Sequence, residues 1–294
     1  MEYISSRGFL KGCDFTSSNP ISSIRRMAFY PSLDTINVKN PLIYVCNSAI
    51  PHFKNLTINF PFILVSGDSD DTMPLDFFTK EDFEKFINNP FLLHWFSQNM
   101  VIKHPKITLL PIGLDYHTMT CLNKWGPITS SENQEILIKS IKQKPFYERT
   151  IKCYANFHFQ MNTKHSYDRK DAIEQISKDL IYYEPNHTFR LNSWNKQKDF
   201  AFVICPHGGG YDCHRLWEAL ILGCIPIVKK SLIDELYEEL PVLILNEWSD
   251  LSQILLEETI ITFKNKQFNY DKLKHNYWLT KMKDIQNKHL TFHL

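Results

Sequence analysis

The chain has no long apolar run. Its longest, such as residues 200–205, fall far short of the roughly 20 residues a membrane-crossing helix needs. It does not open on a basic stretch followed by an apolar one. Met1-Glu2-Tyr3 therefore begins no visible secretion signal, and a cytoplasmic location is expected. Excess charge is lacking too: 33 basic and 32 acidic side chains nearly cancel. That balance argues against broad electrostatic binding to nucleic acid or an acidic membrane. No internal repeat or low-complexity segment stands out, which excludes solenoids and disordered tails. The seven cysteines are odd in number and scattered, as free thiols are and a disulfide framework is not. The sequons at Asn55 and Asn186 are accordingly expected to carry no glycan.

What the chain does have is material for a core, 43% apolar and 14% aromatic over 294 residues. Short apolar runs alternate with amphipathic stretches, the pattern of βα units around a mainly parallel sheet. In the first half, residues 42–46, 62–66 and 107–110 read as buried strands, with helices over 81–88 and 91–99. Residues 124–150 change texture around one helix and read as an interdomain connection. The alternation then resumes with strands at 151–156, 200–205, 225–228 and 242–245, and helices over 167–180, 212–222 and 232–239. A last amphipathic helix starts near Asp271. Two domains follow, 1–145 and 146–269, with residues 270–294 returning to the first. Sheets of this kind bind ligands beyond the carboxyl ends of their strands, so the functional loops should follow strands.

The densest signal is residues 200–228: a buried strand, a glycine turn, a helix, a small-residue exit and a second buried strand. Gly208, Gly209 and Gly210 let backbone amides approach a ligand, with His207 just before them. Asp212 is placed to cap the helix, whose N-terminus favours an anion such as a diphosphate. At 100° per residue His214, Arg215 and Glu218 share one side, while Leu216, Trp217, Leu220 and Ile221 turn inward. Arg215 suits phosphate oxygens and Glu218 the ribose hydroxyls. Gly223 is expected to end the helix in a left-handed cap. A second basic element follows the strand at 151–156: Asn156 and His158 in a polar loop, then Arg169 and Lys170 at a helix start. Cations there would neutralise a diphosphate without a metal. The plainer reading is a glycine turn before a packed helix, with Arg215 and Glu218 as a surface pair.

Residues Pro206-His-Gly-Gly-Gly-Tyr-Asp-Cys-His-Arg-Leu-Trp-Glu218, continuing through Gly223-Cys-Ile-Pro226 to Leu240-Pro-Val242, resemble the donor-site region of exostosin-like glycosyltransferases. Ser66-Gly-Asp-Ser-Asp70, His94-Trp-Phe-Ser-Gln-Asn99 and Leu110-Pro-Ile-Gly-Leu-Asp115 are similar to the compact members found in large DNA viruses. Those members include a chlorovirus capsid-glycan xylosyltransferase. The resemblance implies an α/β protein of GT-B-like fold, two Rossmann-like domains facing a central cleft. It also implies a UDP-sugar donor (UDP-xylose by the nearest likeness), a glycan or glycoprotein acceptor with fucose as one candidate, inversion at the anomeric carbon, and no essential cofactor or metal. A viral member would act in the host cytoplasm.

Inverting transfer needs a general base for the acceptor hydroxyl. The strand at 62–66 empties into Gly67-Asp68-Ser69-Asp70-Asp71, and Asp70 is the first candidate, Asp68 the next, with Asp71 beside them. A capping role for Asp68 within its own loop is the competing reading. On a helix, Trp95, Gln98 and Asn99 would lie together and offer a sugar an aromatic plane and amides, with His94 adjacent. Trp95 as core and His94 as a structural histidine are the alternatives. Asp115 follows another strand and suits acceptor hydroxyls or a turn. Three rival readings remain open. Asp68-Ser69-Asp70 fits a metal-dependent GT-A transferase. Cys205, His207, Cys213 and His214 carry zinc-competent groups without paired Cys-x-x-Cys spacing. A non-catalytic binder of glycan or nucleotide is the third.

Overall fold

The computed structural model describes residues 2–5, 7–16, 33, 37–116, 130–157, 162–186 and 188–291. Among these, the chain forms two parallel sheets and packs as two units. One unit is Ile4–Ile112 with Lys274–Leu294; the other is Met1–Tyr3 with Gly113–Leu273.

In the first unit β1 (Leu42–Cys46), β2 (Phe62–Gly67), β3 (Leu92–Gln98) and β4 (Ile107–Leu110) pair in sequence order, all parallel. Every residue of β1 and β2 is buried, so an unbroken apolar run is what these strands require. α1 (Ile50–Phe53) and α2 (Lys80–Ile87) cover one face, setting Phe53, Phe83 and Ile87 against Val45, Leu64 and Trp95. Thr79 caps α2 by accepting from the Asp82 amide at 3.1 Å.

Residues 91–99, expected as a helix, instead supply β3, hydrogen-bonded between β2 and β4. A seven-residue run that is mostly buried on both faces, with His94, Ser97 and Gln98 among its apolar residues, has no clean periodicity to separate strand from helix, and sheet pairing decides it.

The second unit contains α3 (Ser131–Ser140), β5 (Thr150–Ala155), α4 (Ser166–Gln175), β6 (Ile181–Tyr183) and α5 (Arg190–Gln197). It continues with β7 (Phe200–Ile204), α6 (His214–Ile221), β8 (Ile225–Lys229), β9 (Leu243–Leu245) and α7 (Gln253–Lys264). The helix expected over 167–180 stops at Gln175, and residues 232–239 hold only the 3-10 turn Asp234–Tyr237. Strand order is β6-β5-β7-β8-β9, all parallel. The chain leaves β5 toward β6 on one side and β7 toward β8 on the other. With right-handed crossovers, α4 and α6 then lie on opposite faces. Cys153, Ala155, Phe202 and Ile204 pack with Ala172 of α4, Trp248, and Leu256 and Ile260 of α7. The carboxyl ends of β5 and β7 are thus the topological switch point, the crevice where such sheets seat ligands.

The division between units falls at Ile112 and Gly113, ahead of the 145/146 boundary drawn from the texture of 124–150. α3 explains the shift. Its Gln134 donates to the Asp115 carbonyl at 3.1 Å, and its Glu135 takes the amides of Glu2 and Tyr3. The last helix, α8 (His275–Thr291), groups with the first unit, where Gln286 donates to Asp14 and to the Asn40 carbonyl. No helix among the described residues is long and apolar enough to cross a membrane. The six described cysteines are free thiols.

Candidate functional site

The glycine turn leaves β7 at the switch point and is fastened from beneath. The His207 amide donates to Asp168 of α4 at 2.8 Å, and Trp248 Nε1 donates to the same carboxylate at 2.7 Å. The His165 amide reaches the Gly208 carbonyl at 2.9 Å. Gly208's own amide donates to the Gly210 carbonyl at 3.1 Å, so it is not among the amides offered outward. Gly208 has a different job: a Cβ there would collide with the Arg169 guanidinium, which lies against its backbone. Arg169 is thereby brought to the turn from α4, as a phosphate role requires. Its neighbour Lys170 is exposed and faces Glu174 one turn on, a solvated pair.

α6 starts at His214, with Cys213 at the N-cap and no side-chain cap. Asp212 is therefore not the cap. It is buried and accepts from Trp217 Nε1 at 2.9 Å and from the Cys213 amide at 2.9 Å. That ties the turn to the helix's second turn rather than to its first amides. His214 Nδ1 donates to the Gly113 carbonyl at 2.7 Å. Arg215 Nε donates to Asn156 Oδ1 at 3.1 Å, and its guanidinium lies 5.7 Å from the Phe157 ring centre. This bond joins the loop after β5 to the helix after β7, the two elements flanking the switch point. Gly223 ends the helix at φ +70°, in the left-handed region. His158 lies outside the described residues.

Glu218 is buried, not on an exposed helix side. Arg190 Nη1 donates to Oε1 and Trp194 Nε1 donates to Oε2 at 3.0 Å. Arg190 also stands 3.5 Å from the buried Asp115 carboxylate. Asp115 thus belongs to the five-stranded unit, sharing Arg190 with Glu218, and not to the unit that carries the aspartate loop. Arg190 carries no motif. The one trace of it in the sequence is Trp194 one helical turn later, aimed at the same carboxylate.

Cys205 and Cys213 hydrogen-bond each other. The Cys205 thiol, then Arg215 and the Leu216 amide hold the Cys213 thiol below the usual thiol range, with burial opposing them. Burial first, then Cys213, pushes Cys205 up. Among the described residues no group of three or more His, Cys, Asp or Glu side chains is arranged to hold a metal ion. The zinc reading of Cys205, His207, Cys213 and His214 finds no such cluster.

In the four-stranded unit the aspartate loop follows β2. Asp68 has φ +58°, a conformation aspartate tolerates better than most residues. It is 2% exposed, and its carboxylate takes Arg7 Nε at 3.0 Å. Its amide donates to Gln98 Oε1 at 2.7 Å. An Asp68 carboxylate held by a guanidinium is poorly placed to take a proton or, with Asp70, to bridge a metal. Ser69 Oγ donates to Asp71. Asp70 is exposed.

The residues read as sugar contacts hold this loop instead. Gln98 Nε2 donates to the Pro111 carbonyl at 3.0 Å, and Asn99 Nδ2 to the Ser69 carbonyl at 3.1 Å. Trp95 is fully buried against Phe78 and Phe86 and donates to Ser66 Oγ at 2.9 Å, a core residue. His94 is buried on β3 beside Phe96, with Nε2 2.9 Å from Thr108 Oγ1. Burial, with His289 and His104, pushes its pKa down to about 4, so it stays neutral and structural.

No protein-family model matches the chain, and no curated protein sequence matches it.

Proposed function

We propose that the chain is an inverting glycosyltransferase of GT-B type, taking a sugar from a nucleoside-diphosphate donor. The observation that carries this reading is the switch point of the five-stranded sheet. There a glycine turn, Arg169 laid on Gly208, and Arg215 bonded to Asn156 converge on the carboxyl ends of β5 and β7. Two guanidiniums beside a glycine turn suit a diphosphate leaving group, whose developing charge they neutralise. The resemblance of residues 206–242 to exostosin-like donor sites points the same way.

In this reading the acceptor hydroxyl attacks the anomeric carbon from the face opposite the diphosphate. The C–O bond to the diphosphate breaks, and the hydroxyl proton passes to Asp70. Asp70 is preferred to Asp68 because it is exposed while Asp68 is held by Arg7. Glu218 serves the ribose: each oxygen holds one protein donor, and a carboxylate has about four lone-pair sites, so a hydroxyl can be added. UDP-sugars, UDP-xylose first, are the donors to try, with fucose-bearing glycans as acceptors.

The test is a thermal-shift panel of nucleotide sugars followed by transfer assays with and without chelator. Stabilisation by UDP-sugar and transfer that survives chelation are expected. Transfer abolished by chelator would instead favour the metal-dependent reading through Asp68 and Asp70. Binding without transfer or hydrolysis would favour a non-catalytic binder.

A further inference from the structure

Where β7 and β8 end, a cavity of about 320 Å³ opens between the first turn of α4, the glycine turn and the segment leaving β8. Tyr167 and Asp168 line it from α4, His207 and Tyr211 from the turn, and Lys230 and Ser231 from beyond β8. Of these six, only His207 and Tyr211 figure in the motif reading of the donor site.

His207 decides the chemistry of this cavity. Its side chain is 4% exposed. Nδ1 lies 2.8 Å from the Tyr211 carbonyl, and a carbonyl only accepts, so Nδ1 carries the proton. In the neutral ring Nε2 is then a bare lone pair. It has no hydrogen-bond partner among the described residues. The nearest acidic group, Asp168 at 4.0 Å, is itself an acceptor already holding the His207 amide and Trp248. A buried acceptor that meets no protein donor is costly unless something else supplies one.

The surroundings define what that donor belongs to. The Tyr211 ring stands edge-on to His207 at 5.2 Å and packs on His165 at 4.2 Å. Tyr167, 53% exposed, gives the rim a second aromatic face. Lys230 adds an exposed ammonium, a donor for a carbonyl oxygen. Lys229 is committed to Asp171 and Glu247. Arg169, next to Asp168, sets a phosphate-binding cation beside the same turn.

We propose that this cavity seats the nucleobase of the donor, selecting bases that present N–H beside C=O, as uracil and guanine do. The N–H donates to His207 Nε2, the carbonyl accepts from Lys230, and the ring lies against tyrosine. This rests on reading the chain as a nucleotide-binding protein. Cytosine and adenine place a lone pair where uracil and guanine place N–H, so two acceptors would meet.

Calorimetric titration of the intact chain with UDP, GDP, CDP and ADP tests it. UDP or GDP, or both, should bind about tenfold or more tighter than CDP and ADP, the order of one buried unmade hydrogen bond. The better of the two identifies the base. His207→Phe keeps the ring and removes Nε2, and should bring that affinity down to the level of CDP. Tyr167→Ala, at an exposed rim position, should weaken every nucleotide about fivefold, as loss of one stacking face does. The wild-type comparison stands even if His207→Phe does not fold. Equal affinity for UDP, GDP and CDP, with sugar transfer intact, overturns the base site and leaves the proposed function standing. Binding of none of the four overturns both.

Discussion

Arg190 holds two buried carboxylates, Asp115 and Glu218, with one guanidinium. Removing one partner of a buried pair strands the other charge, typically at about 3–5 kcal/mol. Arg190→Ala should lower unfolding free energy by that order in urea denaturation. Glu218→Gln should cost less, because the Trp194 bond survives and Arg190 keeps Asp115. An unchanged urea midpoint in Arg190→Ala would show the pairing to be incidental. Asp70 belongs to the same scale. Asp70→Asn should reduce kcat by about a hundredfold or more, the usual contribution of a general base, while UDP affinity holds. Unaltered turnover would remove Asp70 from the role. Cys213 gives a reading of local electrostatics. A lowered pKa keeps thiolate present at neutral pH, so Cys213 should be alkylated by iodoacetamide ahead of the buried Cys46, Cys153, Cys205 and Cys224. Cys205→Ser should slow that reaction, and bound UDP should protect against it. Little of this was visible in the sequence. Arg215 announced itself through the motif, but Gln98 and Asn99 looked like ligands and Asp212 like a helix cap, because polar residues beside a loop give no sign of which atoms they bind.

At the scale of elements, the glycine turn shows how a missing side chain positions a charge. Gly208→Ala puts a methyl group where the Arg169 guanidinium rests, and the flexible arginine moves before the backbone does. Unfolding temperature should change little while UDP binding weakens about tenfold, as loss of a charge-assisted contact does. Retained affinity would mean that Arg169 does not meet the phosphate. The βα alternation was legible because parallel strands buried on both faces read as continuous apolar runs: β1, β2, β7 and β8 were found nearly in place, and so were the less buried β4, β5 and β9. The same property concealed β3. β6 was lost because Ile181–Tyr183 directly follows a 3-10 turn that extended the apparent helix. α5 was missed for want of an apolar stripe, its buried residues being Ser193, Trp194 and Gln197.

For the whole molecule, composition set the limits correctly at a coarse level, an α/β chain of two units without a membrane-spanning helix among the described residues. The boundary was misplaced because α3 binds by polar contacts, Gln134 to Asp115 and Glu135 to Glu2 and Tyr3, which leave no apolar pattern. The return of the last helix predicts a selective loss. Truncation after Leu273 removes α8, whose Met282 is fully buried and whose Gln286 satisfies Asp14 and Asn40. Hydrogen exchange should then rise across β1 to β4 and remain slow in β5 to β9. Equal rise in both sheets would show that the units do not unfold separately.

That discontinuity also orders events on the ribosome. The strands of the four-stranded sheet are made first, yet the helix that completes their packing is translated only after all of Gly113–Leu273 has been read. The half of the chain bearing the glycine turn can therefore mature while the earlier half is still waiting, and a chain stalled before residue 274 would present a finished five-stranded half together with an open hydrophobic sheet, a natural target for chaperone capture.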